Sequence, residues 1–120
     1  MAVASVNIAD ASGEVGTNTA STYTINISAT GTTLAVGLGV TLDEVGSGRS
    51  WAGTLTKFVT SSGTWEASLT YAGESSAQAQ KSQPSTSSAI ASTFILAIMN
   101  NATPPVQISN DATVTIDVFE

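Results

Sequence analysis

The chain has 120 residues, the length of one domain with one hydrophobic core, and we assign residues 1–120 to a single domain. It contains neither cysteine nor histidine, which excludes disulfides, thiolate metal ligands and every nucleophile that needs a histidine base. Nine acids against three bases give a net charge of −6. This balance argues against binding to nucleic acid or an anionic membrane surface, because both need clustered lysine and arginine.

Neither the N-terminal segment nor the longest apolar stretch is expected to direct the chain across or into a membrane. The first fourteen residues lack a basic region followed by a long apolar run, so they do not read as a secretory signal. The apolar stretch Phe94–Met99 is too short to span a bilayer. We therefore expect the chain to be made in the cytoplasm of its host cell.

Apolar and polar residues alternate along most of the chain, which predicts β-strands. The first strand is predicted at Val3–Ala9. A loop rich in glycine, serine and threonine follows at residues 10–21. The second strand has its apolar positions at Tyr23, Ile25 and Ile27.

The third predicted strand, Thr32–Leu42, has the cleanest alternation. One face is apolar and is expected in the core: Leu34, Val36, Leu38, Val40 and Leu42. The other face is very small: Ala35, Gly37, Gly39 and Thr41. Gly37 and Gly39 lie within the alternation, with no following helix and no adjacent lysine, so a phosphate-binding loop is disfavoured. We expect this side to let another β-layer, a loop or a neighbouring subunit approach closely.

Four further segments complete the strand prediction. Trp51–Thr60 and a strand from Trp65 to Tyr71 are joined by a tight Ser-Ser-Gly turn. Gln78 and Gln80 could lie on a polar edge strand. Ala89–Met99 is apolar on both faces and fits a central strand better than a short helix, and the last strand is Thr113–Phe119. The pattern predicts an all-β fold, an antiparallel β-sandwich or jelly roll of about seven to nine strands.

The residues offer little for catalysis or ligand binding. The carboxylates flank strand ends without a catalytic or EF-hand spacing. A calcium site at residues 10–14 or 42–44 stays open. Among the aromatic residues, Trp65 and Tyr71 share parity with Leu69 and are expected in the core. Trp51 lies where a loop meets a strand and is the best candidate for an exposed or interface anchor. We expect no enzyme and no cofactor.

Five segments of the central block share a pattern of short strands and turns: "TLAVGLGVTL" (Thr33–Leu42), "WAGTLTKF" (Trp51–Phe58), "TWEASLTYAG" (Thr64–Gly73), "SAIASTFILAI" (Ser88–Ile98) and "NNATPP" (Asn100–Pro105). In this pattern the block resembles structural modules of tailed bacteriophages. The resemblance implies a virion β-sandwich module and carries no catalytic residues with it. It favours a capsid decoration (cement) protein on the outer surface of a phage head.

Such a protein would bind the major capsid protein or another virion protein, and we expect a homo-oligomer. The predicted edge strands Val3–Ala9 and Thr113–Phe119 could augment a neighbour's sheet. The candidate interface residues are Trp51, Val3, Val6, Ile8, Gly37, Gly39 and Phe119. Two alternatives stay open: a tail, fibre or adhesin module that binds a glycan or receptor through Trp51, and a pilin-like filament subunit.

Overall fold

The computed structural model describes residues 5–74 and 90–119. These residues form seven strands and no helix, so the all-β prediction is confirmed for them. The strands are β1 (Asn7–Gly16), β2 (Thr22–Thr30), β3 (Gly39–Glu44), β4 (Arg49–Val59), β5 (Thr64–Glu74), β6 (Ile90–Met99) and β7 (Ala112–Phe119).

The seven strands form one closed sheet in the order β1-β2-β5-β4-β3-β6-β7. Neighbouring strands are antiparallel except β1 and β7, which run parallel and pair Glu14 with Asp117 and Gly16 with Phe119. The hydrogen bonding thus shows a closed barrel, and it does not show the two separate sheets of a sandwich or jelly roll. Alternation along single strands cannot reveal closure, because closure depends on which distant strands pair.

The inward side chains fill the barrel with one apolar core. Its largest fully buried members are Trp51, Phe94, Ile25, Ile27, Leu42, Leu55, Leu69, Leu96, Ile98 and Ile116. Burial of each such side chain contributes about 1.5–3 kcal/mol. The barrel is therefore a packed scaffold, and its contact chemistry has to lie on the outside.

Trp51 lies at the centre of this core, so the expectation that it is exposed is wrong. Its ring centroid is 5.1 Å from that of Tyr71 and 5.6 Å from that of Phe94. Its Nε1 donates a hydrogen bond to the Gly16 carbonyl oxygen at 2.7 Å. The reason is that β4 begins at Arg49, which places Trp51 inside the strand on the inward parity.

The first strand is displaced from its predicted position and runs through the predicted loop. It begins at Asn7 and continues to Gly16. An irregularity between Ile8 and Asp10, and a φ of +139° at Gly13, interrupt the alternation that the pattern relied on. Val6 and Ile8 are buried, so these two interface candidates belong to the core. Val3 lies outside the described residues.

The third strand is shorter than predicted, because its first half is built of turns. Gly37 has a φ of +100°, which an extended strand residue does not adopt. Its N–H donates to the Leu55 carbonyl oxygen at 2.8 Å, and the N–H of Leu55 donates to the carbonyl oxygen of Leu38 at 2.9 Å. Leu38, Val40 and Leu42 are buried as predicted, and Leu34 packs against the core. Val36 is 63 % exposed, so its assignment to the core face is wrong.

The remaining predicted elements are confirmed wherever the structure describes them. The β4–β5 hairpin closes through the Ser-Ser-Gly turn, in which the N–H of Gly63 donates to the Val59 carbonyl oxygen at 2.8 Å. The predicted segment Ala89–Met99, which is apolar on both faces, contains the strand β6, and the predicted last strand is β7. The polar edge strand predicted at Gln78 and Gln80 lies outside the described residues.

The two strands expected at free edges have neighbours on both sides. β7 lies between β6 and β1, and β1 lies between β7 and β2. The N-terminal half of the β1–β7 seam is bridged by Asn110, whose Oδ1 accepts from the Ile8 N–H at 2.7 Å and whose Nδ2 donates to the Ile8 carbonyl oxygen at 3.2 Å. Neither strand is therefore an edge strand of the described sheet, although β1 and β7 pair directly only at Glu14–Gly16 and Asp117–Phe119.

Gly53 is a position in the barrel wall where a side chain does not fit. A Cβ there would lie 1.8 Å from the Ser68 carbonyl oxygen on β5. We expect Gly53→Ala to lower the free energy of unfolding by about 3 kcal/mol, because β4 and β5 would have to separate. Gly39→Ala is the matched control: its Cβ would meet Met99 at an ordinary 3.5 Å, and a change within about 0.5 kcal/mol is expected. Urea unfolding measures both, and equal stabilities would contradict the close approach.

Candidate interaction surface

Two rows of small or uncharged residues cross five strands on the outer side of the barrel. The register aligns β6, β3, β4, β5 and β2 so that the residues of each row are direct neighbours. The first row is Met99, Gly39, Thr54, Ser68 and Thr24, and the second is Ala97, Thr41, Ala52, Thr70 and Thr22. We call these ten residues the uncharged face.

The alternation of each strand puts this face on the outer side of the barrel, where Ala97 is nevertheless buried. In β3 the buried residues are Val40 and Leu42, which leaves Gly39 and Thr41 on the outer parity. In β4, Leu55 is buried while Ala52 and Thr54 are exposed. Threonine suits such positions, since its branched side chain packs well on a pleated surface while its hydroxyl reaches solvent.

A depression of about 350 Å³ opens on one side of this face. It is lined by Gly37, Gly39, Val40, Thr41, Ala52, Gly53, Thr54, Met99, Asn100, Asn101, Ala102 and Pro105. A Cβ added at Gly37 would have nothing within 4 Å, and one at Gly39 would meet only Met99. The glycines therefore leave the floor of the depression open, and the loop at residues 100–105 forms one wall.

Most exposed acids of the described residues lie away from this face, but Asp43 follows Thr41 on the outer side of β3. None of the uncharged face or the depression lining is ionisable. Glu14 and Asp117 are direct neighbours across β1 and β7, and Asp10 and Asp111 are exposed near the same seam. The chain thus has an acidic side at β1–β7, while the uncharged face on β3 and β4 is bordered by Asp43.

One acid, Glu44, is buried within a polar cluster at the far end of β3. Arg49 donates from Nε to Oε1 at 2.5 Å and from Nη2 to Oε2 at 2.9 Å. The Ser47 hydroxyl donates to Oε1, and the Ser92 hydroxyl donates to Oε2 at 2.6 Å. Burial alone would raise the pKa of Glu44, but these hydrogen bonds and the Arg49 charge outweigh it and hold the pKa below its ordinary value of 4.5.

This cluster is structural, because both oxygens of the carboxylate are already occupied. It connects β3, the following turn, β4 and β6. The candidate calcium segment at residues 42–44 therefore contains an acid that is engaged with Arg49. Among residues 5–74 and 90–119, no group of three or more acidic side chains is placed to hold a metal ion.

A second surface feature is an aromatic pair near the end of the β4–β5 hairpin. The ring centroids of Phe58 and Trp65 lie 5.1 Å apart at an interplanar angle of 52°. Phe58 is 44 % exposed, and Trp65 is partly buried against the core. This pair, and not Trp51, presents aromatic surface to solvent.

The structure separates the predicted interface residues into three groups. Gly37 and Gly39 lie together at the depression. Val6, Ile8 and Trp51 are buried, and Phe119 is half-buried at the end of β7. Sequence reasoning missed the uncharged face, because its residues become neighbours only through the pairing of five strands. The alternation within each strand did predict which residues point outward.

No family model, curated protein or solved structure matches the chain. In the part of the chain that the structure describes, no helix has the length and apolar character needed to cross a membrane. The surface is therefore interpreted from its own geometry.

Proposed function

We propose that this protein is a non-enzymatic structural component of a tailed-phage particle, a capsid decoration (cement) protein on the outer surface of the head. The observation that carries the proposal is the uncharged face with its open depression on a rigid, filled barrel. The expected partner is the major capsid protein or another virion protein. The expected location is the capsid surface, after synthesis in the host cytoplasm.

The face is suited to contact for a physical reason. Small side chains let a partner's main chain or side chains come close, and an uncharged surface can be covered without desolvating ions. Apolar area removed from water contributes about 25 cal/mol per Å². On a symmetric shell the same modest contact is repeated at every site, which raises the total stabilisation.

The sequence likeness supports the same proposal. The strands β3, β4, β5 and β6 lie within the block that resembles phage structural modules. We propose that the closed barrel is a variant of the β-sandwich used in such modules. At 39 × 33 × 22 Å the described barrel is flattened, as two facing layers would be.

The protein is expected in purified particles. Mass spectrometry of gradient-purified phage from a strain that carries the gene should detect it at a ratio to the major capsid protein that the symmetry of the shell allows. Purified protein added to heads that lack it should cosediment with them. Absence from particles together with no cosedimentation would rule the proposal out.

The exposed Phe58–Trp65 pair favours a second candidate, a tail, fibre or adhesin module that binds a glycan or receptor. Aromatic rings that present a face to solvent can stack on apolar surfaces of a ligand. Glycan-array screening of the wild type beside Phe58→Ala tests it, and no binding by the wild type discards it. For a pilin-like filament subunit we find no favouring observation, since each described strand has a neighbouring strand on both sides.

A further inference from the structure

The charge distribution restricts what can cover the uncharged face. The chain carries a net charge of −6, and the exposed acids Asp10, Glu14 and Asp111 lie on or near the β1–β7 seam. Two copies that met through these acidic surfaces would repel each other. They repel least when the uncharged faces meet, because the acids of the β1–β7 seam then lie on the far sides of the pair, although Asp43 borders the contact.

The face also carries both a hollow and exposed apolar side chains beside it. Val36 precedes Gly37 and is 63 % exposed, and Val106 follows Pro105 and is 55 % exposed. Gly37 and Pro105 both line the depression. An apolar side chain beside a depression on one copy can enter the depression of another, which is the self-complementarity that a twofold contact needs.

From these two observations we infer that a second copy of this chain docks on the uncharged face, in a twofold arrangement that brings the two depressions and their flanking valines together. The inference rests on the proposed function in that it takes this face for a contact surface, but it requires no capsid, and a second copy and a capsid protein would compete for the face. A foreign basic partner would instead be drawn to the acidic side.

The size of the face sets the expected strength of this contact. Five strands at a spacing of about 4.8 Å give a width of about 19 Å. One side of a standard interface buries about 800 Å², a patch about 28 Å across. The face is therefore smaller than a standard interface, and we expect a dimer that forms at micromolar to millimolar concentration and dissociates on dilution.

Salt is expected to strengthen the dimer. Added salt screens the repulsion between the acidic copies, and there is no ion pair on the uncharged face for it to weaken. A contact held by salt bridges would show the opposite dependence.

Sedimentation velocity across a concentration series tests the inference with matched variants. Thr54→Asp places a carboxylate in the middle of the face at an exposed position. Thr115→Asp makes the same change at an exposed position on β7 and adds the same charge to the chain. Gly39→Leu fills the depression from a position where a Cβ makes only an ordinary contact. Thermal unfolding by circular dichroism establishes that each variant is folded.

We expect the wild type and Thr115→Asp to dimerise alike, and Thr54→Asp to weaken the dimer about a hundredfold, since like charges would be brought together. Gly39→Leu should weaken it as well. A wild type that stays monomeric at all concentrations overturns the inference, as does a dimer that Thr54→Asp and Thr115→Asp affect equally. If the wild type is monomeric but Thr54→Asp abolishes binding to phage heads, the second copy is ruled out while the proposed function stands. If Thr54→Asp weakens the dimer but the protein has no affinity for phage heads, the inference is supported and the proposed function is ruled out.

Discussion

Replacing Trp51 by alanine is expected to lower the free energy of unfolding by about 5 kcal/mol. Loss of a buried tryptophan side chain costs about 3–5 kcal/mol, and the Gly16 carbonyl oxygen would lose its bond from the indole N–H inside the core. Urea unfolding followed by far-ultraviolet circular dichroism measures the loss without depending on tryptophan emission.

Two further variants keep this prediction decisive. Trp51→Phe retains most of the packing and removes only the indole donor and part of the ring, so a loss of about 2 kcal/mol is expected. If the alanine variant does not fold, the stability of Trp51→Phe tests the prediction instead. Trp65→Ala, at a partly exposed tryptophan, should also cost only about 2 kcal/mol. If Trp65→Ala costs as much as Trp51→Ala, the central position of Trp51 in the core is contradicted.

Replacing Glu44 by alanine is expected to cost about 4 kcal/mol at neutral pH. The side chain is buried, and its loss removes an ion pair from a guanidinium that is itself almost buried. Removal of one partner of a buried pair typically costs about 3–5 kcal/mol, because the other charge keeps its desolvation penalty. The Ser47 and Ser92 hydroxyls would lose their acceptor at the same time. A loss below about 1 kcal/mol, the value typical of a surface ion pair, would show that the cluster is not formed.

The same cluster predicts how stability depends on pH. The pKa of Glu44 is lower in the folded chain than its ordinary value of 4.5. The folded state therefore gains stability from this group above pH 4.5, and the gain is lost as the pH falls toward the lowered pKa. Glu44→Gln should flatten this part of the acid-unfolding profile. A slope that Glu44→Gln leaves unchanged would contradict the assignment.

Much of the strand content was readable from the sequence, because period-two alternation reports burial directly. It placed β2, β4, β5, β6 and β7 within a few residues. The pattern failed at β1, where the irregularity after Ile8 and the φ at Gly13 shift the parity. It failed again at Val36. The sequence there alternates as in a strand, but the turn at Gly37 changes the direction of the backbone. Alternation records which side a residue faces only while the backbone stays regular.

The surface features were less accessible for a different reason. Gly37 and Gly39 could be singled out because small residues stand out within one strand. The rest of the uncharged face could not be predicted, because Thr54 lies beside Gly39 and Ser68 only through the register of three strands. Glu44 and Arg49 are five residues apart in the sequence, and the turn between two paired strands is what brings them together.

Binding of matched variants to phage heads tests whether this chain acts through its uncharged outer face. Heads that lack the protein are incubated with the wild type, Thr54→Asp or Thr115→Asp, and occupancy is measured after sedimentation. The account predicts that the wild type and Thr115→Asp fill the heads equally, while Thr54→Asp binds about a hundredfold more weakly, the effect of a few kcal/mol of like-charge or desolvation cost. Equal occupancy by the two aspartate variants would contradict it.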